Sequence, residues 1–115
     1  MEISSAVQAL ASLAQNSRLL IFKALVQAGP QGLQPSTLTA QLAIPANTLS
    51  FHLKDLLSAH LITQERCGRA LFYRANFERT AALVAYLTVN CCGGQPCGIE
   101  TTTNLPSNPI KDGCS

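Results

Sequence analysis

The chain has 115 residues, room for one domain but not two. Hydrophobic residues make up 47% of it, enough for a core, whereas charged residues make up only 12%, against roughly 25% in an average soluble domain. The net charge of +2 permits a nucleic-acid partner without requiring one, and no run of about 18 apolar residues is available to span a bilayer. So little charge on so short a chain points to apolar surface shared in an oligomer. The start, Met1-Glu2-Ile3-Ser4-Ser5, lacks the basic region of a signal peptide, so the cytoplasm is the expected compartment. There the five cysteines are expected to stay reduced, and closely spaced reduced cysteines serve metal binding or redox chemistry rather than structural disulfides.

Ile3, Val7, Leu10 and Ala14 recur at helical spacing, which predicts a first helix over 3–14. Asn16 or Ser17 can cap a second helix, which ends near Ala28 because Gly29 accepts a left-handed turn and Pro30 cannot continue the ladder. Leu19, Leu20, Ile21, Phe22, Leu25 and Val26 make this helix apolar nearly all round, so it is expected at the centre. Pro35 opens a short third helix with Leu38 and Leu42 on one face, and Ala43-Ile44-Pro45 makes a turn. A fourth helix follows over about 46–59, with Leu49, Leu53, Leu56 and Leu57 as its buried stripe. Two short runs, 61–66 and 69–74, flank Cys67-Gly68 and predict a β-hairpin. Asn76 caps a last helix carrying Phe77, Leu83, Val84, Tyr86 and Leu87 and ending near Asn90. Residues 1–90 thus form one domain, 91–97 a thiol-rich segment, and 98–115, with Pro106, Pro109 and Gly113, a flexible tail with almost nothing to bury.

Two short helices joined by a tight turn set the second across the first. The leucine stripe of the fourth helix would hold it to the body, leaving Asn47, Thr48 and Ser50 on another face. Small polar side chains near a helix N-terminus let the backbone approach base edges while offering donors and acceptors. The same residues could equally coat a solvated helix. The hairpin that follows favours the first reading, because Arg66 and Arg69 flank Gly68 in a chain with few charges, and Lys54 and Arg18 add candidate phosphate contacts. His52 has two readings, a base contact or a hydrogen bond inside the helix pair. Phe51 is expected as partial core. Nothing points to catalysis: His52 and His60 are the only candidate bases, and no Gly-rich phosphate loop or carboxylate pair occurs.

The run Asn47-Thr48-Leu49-Ser50-Phe51-His52-Leu53-Lys54-Asp55-Leu56, followed by Ala59-His60-Leu61-Ile62, resembles the recognition-helix signature of the ArsR/SmtB family of metal-responsive repressors. The stretch from Glu65 to Arg74 resembles that family's wing. His60 departs from the pattern, which usually has Gly there. The resemblance covers about residues 3–90. It implies a mainly α winged helix-turn-helix fold in the order α-α-α-α-β-β-α, and a non-enzymatic, two-fold homodimeric repressor of double-stranded operator DNA with inverted-repeat half-sites. It further implies that Ile3, Val7, Leu10, Leu83, Val84 and Leu87 form the dimer interface. Packing of those residues within one chain is the other reading.

Cys91, Cys92 and Cys97 place three thiols within one short segment, where Gly93-Gly94 can turn the chain and Pro96 stiffen its return. Three converging thiolates favour soft, thiophilic ions, and a trivalent metalloid needs no fourth ligand, whereas zinc normally does. A fourth ligand would have to come from Cys67, Cys114 or a second subunit. The third helix, where such repressors often carry arsenic thiols, has none here. The resemblance implies that Cys91, Cys92 and Cys97 bind As(III), or Sb(III), as inducer. A redox switch, and a zinc or copper(I) response, remain as alternatives. Cys67 is expected to be only a small turn residue and Cys114 a bystander.

Overall fold

A computed structural model describes residues 1–89. Asn90, the thiol-rich segment and the tail lie outside the described residues, and with them Cys91, Cys92, Cys97 and Cys114. The order is α1 (Ile3–Leu13), α2 (Asn16–Ala28), a single 3-10 turn (Gly29–Gln31), α3 (Pro35–Leu42), α4 (Ala46–Ser58), β1 (Ile62–Cys67), β2 (Ala70–Ala75) and α5 (Phe77–Thr88). This is a winged helix-turn-helix.

Local chemistry accounts for most of the boundaries. The Gln15 side chain, rather than Asn16 or Ser17, caps α2 by accepting from the Arg18 amide at 2.9 Å. Asn76 caps α5 by accepting from the Arg79 amide at 3.1 Å. Pro35 opens α3, where its missing N–H costs nothing. Gly29 ends α2 with φ 80°, and Pro30 continues into the 3-10 turn instead of breaking cleanly to coil.

The core lies where α2, α3, α4 and β1 meet. Ile21, Leu25, Leu38, Leu49, Leu53, Leu56, Leu61 and Ile62 are fully buried there. The expectation for α2 needs correction. Only Ile21, Phe22 and Leu25 turn inward, while Leu19, Leu20 and Val26 are exposed, because a core this small covers one side of the helix.

The hairpin is antiparallel, with Ile62 opposite Ala75 and Cys67 opposite Ala70. Gly68 takes φ 65° at the first of the two turn positions, where a primed hairpin turn places Gly. Leu33 adds a single-residue third strand: its amide donates to the Tyr73 carbonyl at 2.9 Å, and the Tyr73 amide donates back at 2.8 Å. A Cβ on Gly32 would collide with that Tyr73 carbonyl, so glycine is required for this docking. Arg74 fastens the hairpin from the other side, donating from Nε to the Pro30 carbonyl at 2.7 Å and pairing with Glu65 at 2.6 Å.

Candidate nucleic-acid interface

The turn between α3 and α4 aims the second helix of the pair. Ala43 closes α3 in the left-handed region, φ 56°, with its amide donating to the Thr39 carbonyl at 2.9 Å. Pro45 then opens α4 from an extended backbone. The result is one buried and one free side of α4. Leu49, His52, Leu53 and Leu56 face the core, while Asn47, Thr48, Ser50, Phe51 and Lys54 are exposed. The Asn47 side-chain oxygen accepts from the Thr48 amide at 2.9 Å, which leaves its amide nitrogen as the group that can donate to a base. The expected base-reading residues therefore share one accessible face, apart from His52.

His52 belongs to the interior. It is 8% exposed, and its Nδ1 lies 3.5 Å from an Arg18 guanidinium nitrogen. Of its two readings the structure realises the internal hydrogen bond, since position 52 falls on the leucine side of the helix. Phe51 reverses the expectation in the other direction. It is 67% exposed, its ring edge-on to His52 at 5.8 Å, because position 51 falls on the free face one turn after Asn47.

Arg66 and Arg69 are both exposed at the hairpin tip, as a phosphate-contacting wing requires. Arg18 is not available in that way. Its Nε donates to the Ser12 carbonyl at 2.6 Å, and its guanidinium sits 3.7 Å from Asp55. Sequence reading missed this network, because only the arrival of α4 against the α1–α2 corner brings Ser12, Arg18, His52 and Asp55 together.

The turn at His60 forms despite the missing glycine. His60 takes φ 62°, its amide donates to the Leu57 carbonyl at 2.9 Å, and Asn76 Nδ2 donates to its carbonyl at 3.0 Å. Cys67 ends β1 and is half-buried at the hairpin. No group of three metal-ligating side chains occurs among the described residues, and none of their helices is long and apolar enough to cross a membrane.

Residues 13–65 match the family model described as a helix-turn-helix domain. That span runs from the end of α1 into β1 and includes the α3–α4 helix pair. Solved structures resemble this winged helix-turn-helix, among them the following two. An ArsR-like transcriptional regulator from Rhodococcus sp. RHA1 superposes with a TM-score of 0.66 at 23% identity, over 73% of this chain and 76% of that one. HlyU from Vibrio cholerae N16961 superposes with a TM-score of 0.61 at 26% identity, over 79% of this chain and 99% of that one. No curated protein matches the chain.

The candidate dimer residues divide. Ile3, Val7 and Leu10 on α1 and Leu87 on α5 are exposed, and Val84 is half-buried. Leu83 is 6% exposed and belongs to the core of the single chain, so it is withdrawn from the interface. Position 83 lies on the inward side of α5, four residues after Arg79.

Proposed function

We propose that the chain is a homodimeric transcriptional repressor of the ArsR/SmtB type, released from an inverted-repeat operator when Cys91, Cys92 and Cys97 take up As(III) or Sb(III). The observation that carries the DNA-binding part is the free face of α4, with Asn47, Thr48, Ser50 and Lys54 together and the Arg66–Arg69 tip beside it in sequence. The four exposed apolar side chains on α1 and α5 support a two-fold dimer. Two reading helices about one DNA turn apart, roughly 34–36 Å, would then meet two half-sites. The metalloid part rests on the sequence alone. Three thiols that follow α5 in the sequence supply soft donors in the number a trivalent metalloid takes. Ligand can release DNA only by favouring the shape that binds DNA less well, a coupling of about 1–3 kcal/mol, which is 5–150-fold in affinity.

The test is an arsenite titration of the reduced protein on a fluorescent duplex selected by the protein from a random pool. Cys91→Ser and Cys92→Ser should keep the duplex affinity and lose the release. Release at the wild-type arsenite level in those variants would remove the assigned site.

A further inference from the structure

Arg18 is the most heavily engaged cation among the described residues, and its partners come from two other helices. It stands in the first turn of α2 with its side chain 16% exposed. Its Nε reaches the Ser12 carbonyl at 2.6 Å, one of the last carbonyls of α1 and without a partner inside that helix. A cation at a helix C-terminus is also favoured by the helix dipole. The same guanidinium faces two side chains of α4, His52 Nδ1 at 3.5 Å and Asp55 Oδ2 at 3.7 Å. An arginine only donates, so His52 Nδ1 accepts. The Ser12 hydroxyl then donates to Asp55 Oδ1 at 2.9 Å and closes the circuit between α1 and α4. A second tie runs alongside, from Gln8 Nε2 on α1 to the Ser58 carbonyl at the end of α4, at 3.3 Å.

We infer that Arg18 is a positioning residue for DNA reading, a clamp that fixes the recognition helix α4 to α1 and α2, and that it makes no phosphate contact. The inference rests on the reading of α4 as the groove helix. Leucine packing alone fixes the depth of α4 and leaves its rotation and slide to side-chain volume. The contact of Arg18 with His52, its ion pair with Asp55 and the Ser12 hydroxyl's hydrogen bond to Asp55, about a helical turn apart on α4, fix both. The other end of the clamp is α1, which carries the exposed Ile3, Val7 and Leu10. The orientation of the reading face is therefore tied directly to the helix proposed to join the two protomers. Sequence discrimination needs that orientation. Phosphate-driven binding to any duplex does not.

Arg18→Lys tests this while conserving charge, because an ammonium cannot hold acceptors in the directions a planar guanidinium does. Binding of the reduced full chain is measured on the selected duplex and on a random-sequence duplex of equal length, across a salt series. The clamp predicts about a tenfold loss on the selected duplex, no change on the random duplex, and an unaltered salt slope, where tenfold corresponds to about 1.4 kcal/mol. Equal weakening on both duplexes, with the slope falling by about 0.9 in the charge-removing variant Arg18→Gln, would identify a phosphate ligand and overturn the clamp. Unchanged affinity for the selected duplex would also overturn it. Ser12→Ala and Asp55→Asn carry the same readout if Arg18→Lys fails to fold, as judged by its thermal melt, and each should lose selected-duplex affinity several-fold. If the wild-type chain prefers no duplex, the groove-reading assignment falls and takes the clamp with it. If the wild type discriminates and all three variants do too, the clamp alone is wrong.

Discussion

Replacing Leu87 by Gln separates the two readings of the α1–α5 surface. Leu87 is 55% exposed in the single chain, so about half of its burial energy is still to be gained. Full burial of a leucine is worth about 1.5–3 kcal/mol, which leaves roughly 1 kcal/mol per protomer, and a two-fold interface counts the loss twice. Leu87→Gln should therefore raise the dimer dissociation constant by about 2 kcal/mol, near thirty-fold. Gln and Leu have similar helix propensity, so α5 itself should not suffer. Sedimentation velocity across a concentration series reads the constant, and a thermal melt reads the fold. Leu83→Ala is the contrasting variant. Leu83 sits in the single-chain core, and its truncation should cost about 2–5 kcal/mol of folding stability. If Leu87→Gln left the dimer constant within two-fold of wild type, the exposed stripe would not be the interface.

Three further outcomes follow from the turns and the wing. Ala43→Gly should stabilise the chain by about 0.5–1 kcal/mol, since relief of a left-handed alanine (about 1–2 kcal/mol) exceeds the added flexibility of the unfolded glycine (about 0.5–1), and urea denaturation measures it. Gly32→Ala should cost more than about 2 kcal/mol in the same assay, because the new methyl meets the Tyr73 carbonyl at φ 74° and the Leu33–Tyr73 bridge must open. Arg69→Ala should weaken binding to selected and random duplexes alike and lower the salt slope by about 0.9 per lost contact, as a wing residue that reads no bases must.

Much of the architecture was legible from periodicity and punctuation. The leucine spacing in 49–57, Pro35, Gly29-Pro30, Asn76 and the Gly68 turn locate four of the five helices and the hairpin to within a residue or two, because each acts through local chemistry. The failures share one cause. Residue type does not say which side of a helix a neighbour will cover. Leu19, Leu20 and Val26 are apolar yet exposed, Phe51 is aromatic yet on the reading face, and Leu83 is interior where Leu87 is not. The Arg18 clamp was invisible for the same reason, since Ser12, His52 and Asp55 meet it only through the tertiary fold. His60 and Ala43 show the converse. Both adopt positive φ without being glycine, so the absence of glycine did not signal the absence of a turn.

The most direct test of the central claim is competition between two duplexes for the reduced protein at moderate salt. One is the sequence the protein enriches from a random pool, the other a scrambled version of equal length. A groove-reading α4 predicts an inverted repeat among the enriched sequences and a preference of at least about a thousand-fold. Equal affinity for both duplexes, with no sequence enriched, would contradict it.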